Sequence, residues 1–141
     1  MGLLKHVVLP FYATLNLFLL YKCLIAEDIN FVLEGWDRDI EAKPITTLEM
    51  HLLHVSGGTF GIFLINNVAA IIVENSHYRM MAVLLQVLFF MVDWYSYIRL
   101  GSPVPPVIIA NVVVGIVGLV VHSKEPGIFT KDKGSEKGKT N

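Results

Sequence analysis

The sequence predicts an all-α fold: a four-transmembrane-helix antiparallel bundle with a short interfacial amphipathic segment in its first loop. Three observations lead there. Of the 141 residues, 54% are hydrophobic and 16% charged, whereas an ordinary soluble domain carries about 25% charged residues. The charges are unevenly placed, since residues 50–123 hold only Glu74, Arg79, Asp93 and Arg99. Finally, four windows approach the run of about 20 apolar residues that a helix needs to cross a hydrocarbon core. Together these exclude intrinsic disorder, a solvated coiled coil and an ordinary soluble globule. A net charge of −1 without a basic stripe leaves nucleic acid no electrostatic footprint. The single cysteine, Cys23, excludes an intramolecular disulfide and any all-cysteine zinc site.

The first window covers residues 7–26 and is interrupted by Asn16 and Lys22. Lys5 ahead of it and Ala26 at its end also fit a signal peptide. Its apolar run is longer than the usual h-region, however, and Leu24 is a poor small-residue partner for Ala26, so it reads as a retained span. His6 stands where a myristoylation signal wants Ser or Thr. Residues 27–49 form a loop with seven acids against Arg38 and Lys43. Within it Ile29, Val32, Leu33, Trp36 and Ile40 fall at helical spacing on one face. That is the pattern of an amphipathic helix lying in the interface with Trp36 as anchor, although Gly35 weakens it. An acidic loop that merely caps the bundle is the alternative.

Pro44 closes the loop, and Thr46 followed by Glu49 makes a capping box for the second span, residues 50–73. The third span covers residues 80–98. The segment Gly101-Ser102-Pro103-Val104-Pro105-Pro106 turns the chain into the fourth, residues 104–121. That span is rich in valine and isoleucine, but a bilayer leaves an isolated strand with unsatisfied backbone, so a helix is expected. Residues 124–141 form a lysine-rich tail, expected to be flexible. Lys5, Arg79 and the tail lysines fall on one side of a four-span topology, which places both termini in the cytoplasm by the positive-inside rule.

Ionisable groups inside a span are functional candidates by default. Lys22, His54, Asp93 and Asn111, one from each span, are expected in the outer third of the bilayer, with His51 and Ser56 beside them. The functional reading is a polar pocket of Lys22, His51, His54, Asp93 and Asn111, in which Asp93 and His54 pair and Lys22 is a counter-charge. The alternative is that Lys22 snorkels to the headgroups and Asp93 hydrogen-bonds beside the Trp94, Tyr95 and Tyr97 belt. His51 and His54 share a helix face, but two histidines without a third ligand predict no metal, and no cofactor is expected. Gly57, Gly58 and Gly61, with Gly115 four residues after Asn111, read as helix-packing positions. Asn66 and Asn67 are placed to bond across helices. No serine, threonine or cysteine shows a base partner.

From residue 48 to residue 127 the chain carries a Ser-Gly-Gly-x-Phe-Gly helix, a turn ending His77-Tyr78-Arg79, and a third helix with Asp93 and Tyr95-Ser96-Tyr97. A Gly101-x-Pro103 turn and a fourth helix leading to Glu125-Pro126-Gly127 follow. This order resembles the DoxX-like group of small four-helix integral membrane proteins. The resemblance carries over Gly57, Gly58, Gly61, Asp93, Gly101 and Pro103, and no catalytic assignment; the long acidic loop departs from the compact pattern. The leading expectation is a non-enzymatic polytopic protein, in contact with the lipid bilayer, that serves as an accessory to a membrane-protein partner or binds a lipid-like small molecule. A membrane enzyme acting on a lipid, sterol or quinone through Asp93 and His54 is the competing reading. A proton-coupled carrier is a third, without the inverted repeat that would favour it.

Overall fold

The computed structural model of the chain describes residues 2–27 and 46–124. Every regular element among these residues is helical: α1 (Leu4–Ile25), α2 (Thr47–Ile72), α3 (Ser76–Leu100) and α4 (Pro106–Ser123). All four are long and apolar enough to cross a membrane. The acidic loop with its amphipathic pattern around Trp36, and the lysine-rich tail beyond Lys124, lie outside the described residues.

Helix ends follow local chemistry more than the apolar runs. The Thr46 hydroxyl accepts the Glu49 N–H at 3.2 Å, and the Glu49 carboxylate accepts the Thr46 N–H at 2.8 Å. This is the reciprocal cap expected from the spacing, and it starts α2 three residues before the apolar window. The third helix likewise starts at Ser76, ahead of the predicted residue 80, because the Asn75 side chain accepts the Tyr78 N–H at 3.0 Å. Gly101 ends α3 with a φ of 69°, a left-handed conformation that glycine adopts without steric cost. There the Ser102 N–H reaches the Tyr97 carbonyl at 3.0 Å and closes a Schellman-type turn. Pro106 then opens α4, where its missing N–H costs nothing.

The first helix has wide π-helical turns at both ends, Leu4–Val8 and Tyr21–Ile25. The earlier one has the Leu9 N–H donating back to the Leu4 carbonyl. It lies just before Pro10, which has no N–H to donate and crowds the preceding turn, so a locally widened helix accommodates the ring.

Close packing rests on glycines, and α1 packs on α2 along its length while its first half also meets α4. In its second half it meets α2: a methyl group at Gly57 would lie 2.9 Å from the Cys23 Cβ, and one at Gly61 would lie 3.1 Å from Leu20. In its first half it meets α4: a methyl at Gly115 would overlap the Tyr12 hydroxyl and Val87, and one at Gly118 would lie 2.7 Å from Val8. Gly58 departs from the expected packing face. It is exposed, and beyond its chain neighbours and its own helix backbone no atom of the described residues comes within 4 Å of where its Cβ would be. Successive helical residues point about 100° apart, so the seam that takes in Gly57 and Gly61 leaves Gly58 outside. The core divides into a cluster around Leu4, Leu9, Tyr12, Val83 and Val87, a second around Leu19, Phe90, Tyr97, Ile108 and Val112, and a small third of Cys23 and Leu53.

Candidate functional site

A layer of neutral amides lies in the centre of the bundle. Asn16 of α1 sits one helical turn beyond buried Tyr12 and so shares its inward face. Gln86 of α3 lies between buried Val83 and Phe90, and Asn67 of α2 lies one turn before buried Ala70. All three side chains have 0% exposure. Gln86 Oε1 is the hub: it accepts from Asn16 Nδ2 at 3.0 Å and from Asn67 Nδ2 at 2.7 Å. One acceptor thereby ties together three helices. Asn16 Oδ1, Asn67 Oδ1 and Gln86 Nε2 make no hydrogen bond among the described residues. Amide side chains neither gain nor lose protons in the physiological range, so this layer can orient and bond but cannot carry acid–base chemistry.

Three further bonds flank the layer. The Tyr12 hydroxyl donates to the Asn111 backbone carbonyl at 2.7 Å, joining α1 to α4, and Asn111 Nδ2 donates back to the Val107 carbonyl of its own helix at 2.7 Å. The Tyr78 hydroxyl donates to Asn66 Oδ1 at 2.9 Å. Adjacent asparagines thus bond to different positions on α3: Asn67 to Gln86, and Asn66 to Tyr78.

The residues of the expected outer pocket are not drawn together by hydrogen bonds or ion pairs. His54 Nε2 stands 3.2 Å from Glu27 Oε1, with both side chains about half exposed. His54 therefore pairs with the loop carboxylate and not with Asp93. Asp93 is half-buried and makes no hydrogen bond or ion pair among the described residues. Lys22 Nζ lies 5.9 Å from the Phe18 ring centroid on its own helix. His51 is exposed, and no group of three metal-ligating side chains occurs among the described residues. Asn111 is fully buried and bonded as above. Tyr12, which meets it, precedes Lys22 by ten residues, about 15 Å along the helix; Asn111 thus belongs to the central layer rather than to the level of Lys22.

At the other end of the bundle two clamps join helix termini. Arg79 of α3 donates through Nε to the Ala70 carbonyl at 3.0 Å and through Nη2 to the Val73 carbonyl at 2.8 Å. It thereby satisfies carbonyls that the end of α2 leaves without intrahelical partners. Ser76 Oγ lies 2.7 Å from His122 Nε2, linking the first residue of α3 to the last turn of α4. This overturns the expectation that no serine has a base partner. The two residues are 46 apart in sequence, and only the packing of α3 on α4 brings them together.

Sequence reasoning also passed over Tyr12, Gln86 and Gly118. A lone glutamine in an apolar window was the available signal for Gln86, and Gly115-x-x-Gly118 for Gly118.

No family model, curated protein or solved structure matches this chain.

Proposed function

We propose that this chain is a multi-pass integral membrane protein whose four helices form an antiparallel bundle. In this reading it serves as an accessory to a membrane partner or as a binder of a lipid-like molecule. One observation carries the membrane reading: the bundle is apolar outside and polar at its centre. Ile62, Ile65 and Ile72 are 70%, 71% and 72% exposed, whereas Asn16, Asn67 and Gln86 are at 0%. Water would penalise that inversion, and a hydrocarbon solvent favours it. The antiparallel arrangement is supported by contacts that run in opposite directions along α2 and α3: Phe60 meets Phe89, Asn67 meets Gln86, and the Ala70 carbonyl meets Arg79. The DoxX-like resemblance belongs to the same proposal. So does the cytoplasmic placement of both termini, which rests on the distribution of Lys and Arg.

The competing enzyme reading draws no support from the geometry of its own pair, because His54 is engaged by Glu27. Topology is tested by labelling single cysteines with a membrane-impermeant maleimide in a Cys23→Ser background. Ser102→Cys should react from the non-cytoplasmic side only, and Thr130→Cys from the cytoplasmic side only. Labelling of both from one side would overturn the four-span reading. Native mass spectrometry after gentle extraction checks the role: a co-purifying lipid or membrane protein is expected, and a bare monomer in every mild detergent would count against it.

A further inference from the structure

We propose that Ser76 and His122 form a nucleophile–base pair that cleaves carboxylic esters of lipids at the membrane boundary. Three features of the site support an activity beyond a structural link. The first is the contact itself. At 2.7 Å, Ser76 Oγ and His122 Nε2 are within proton-transfer reach, and in one imidazole tautomer Nε2 accepts the hydroxyl proton. Ser76 is half-buried and so reachable from outside, whereas His122 is 4% exposed and shielded from bulk water.

The second feature is the position of the serine. Ser76 is the first residue of α3, so its own N–H and that of His77 are among the donors that a helix start leaves without intrahelical partners. No hydrogen bond from either N–H occurs among the described residues. The Asn75 cap serves the Tyr78 N–H instead. Backbone donors beside a nucleophile, at the positive end of a helix, are suited to holding an oxyanion.

The third is the setting, which assigns the substrate class and rests on the membrane reading above. Ile72, Val73, Val120 and Val121 are exposed apolar side chains adjoining the pair in sequence, and Glu74 and Lys124 are exposed charges next to them. An ester with its acyl chain along the apolar side and its headgroup among the charges presents its carbonyl at this level.

The chemistry balances with water as the second substrate. Ser76 Oγ attacks the ester carbonyl carbon and passes its proton to His122 Nε2, while the carbonyl oxygen takes the negative charge opposite the Ser76 and His77 N–H groups. Collapse breaks the bond to the alkoxy oxygen, which leaves as the alcohol with the proton from Nε2. Water then adds to the acyl-serine and gives a proton to Nε2. The carboxylic acid departs as that proton returns to Oγ.

The test uses the full chain in detergent and in phosphatidylcholine vesicles with a fluorophosphonate probe, peptide mapping, and two esters: soluble p-nitrophenyl butyrate and a membrane-borne long-chain ester. One adduct is expected, on Ser76. It should be absent in Ser76→Ala and slowed by about 100-fold or more in His122→Gln, the usual scale of a lost general base. His122→Gln keeps a side chain that can bond to the serine, and an unchanged elution profile and circular dichroism spectrum would show that it still folds. An unmodified Ser76 in the folded protein, or equal labelling in His122→Gln, overturns the pair. Labelling of Ser76 with turnover of the soluble ester alone overturns the lipid assignment while leaving the dyad, and the cysteine-labelling topology result reports separately on the membrane reading.

Discussion

Replacing Gln86 with Met tests the amide layer most directly. Methionine is unbranched and close to glutamine in volume, so the core keeps its packing while the hub acceptor disappears. Two interhelical bonds are lost, those from Asn16 at 3.0 Å and from Asn67 at 2.7 Å. Interhelical hydrogen bonds inside a membrane average about 0.6 kcal/mol, so the pair comes to about 1.2 kcal/mol. Both asparagine amino groups are left buried without an acceptor, and each such group costs about 1–3 kcal/mol where nothing replaces the partner. Relaxation of the two side chains offsets part of that, so a destabilisation of about 1–3 kcal/mol is expected. Asn16→Ala and Asn67→Ala each remove a single bond to the hub and should each cost less than Gln86→Met, with Asn67→Ala the larger of the two because its bond is shorter. The triple variant orphans no amide and should lose clearly less than the sum of the three single changes, as expected for residues in one network. Reversible unfolding in mixed dodecyl maltoside and sodium dodecyl sulfate micelles, followed by circular dichroism and tryptophan fluorescence, measures all four. A Gln86→Met variant within about 0.3 kcal/mol of the parent, or full additivity in the triple, would refute the hub.

Further predictions concern the packing seams and the helix ends. Gly115→Ala should destabilise by about 1–3 kcal/mol, because the added methyl overlaps Tyr12 and Val87. Gly58→Ala should be neutral or stabilising by up to about 1 kcal/mol, and the same unfolding assay reads both. Arg79→Gln should loosen the junction of α2 and α3 by removing charge-assisted bonds to the Ala70 and Val73 carbonyls; faster amide hydrogen exchange near the end of α2 would register it, and unchanged protection would contradict it. His54→Ala removes a contact with Glu27 in which both side chains are about half exposed, so a change below about 1 kcal/mol is expected, as for other exposed polar pairs.

The four helices were legible because length and apolar content alone decide which segments can cross a bilayer. Their starts were legible only where a cap had a recognisable spacing: Thr46 with Glu49 was, and Asn75 accepting the Tyr78 N–H was not. Asn67 could be read as a cross-helix bonder, since a lone amide in an apolar helix needs a partner. Its partner, Gln86, could not be identified, because the rotational phase of α2 against α3 is fixed by packing contacts such as Phe60 and Phe63 against Phe89. Counting depth from the ends of the windows grouped Asn111 with Lys22, His54 and Asp93. The bond from Tyr12 to its backbone carbonyl places it with the central layer instead. The contact of Ser76 with His122 was invisible for a related reason: it joins the ends of two helices 46 residues apart, which only packing brings together.

The side chains that bond through the middle of the bundle — Tyr12, Asn16, Asn67, Gln86 — are polar but carry no formal charge. An electric field across a bilayer does work of about 2.3 kcal/mol per elementary charge for each 100 mV crossed, and it does no such work on a neutral amide. The Asn16–Gln86–Asn67 junction would therefore hold the same geometry in a resting and in a depolarised membrane. On the membrane reading proposed above, voltage sensitivity among the described residues enters through charged groups toward the helix ends, such as Lys22, Glu27 and Asp93 at one end and Arg79 and Lys124 at the other.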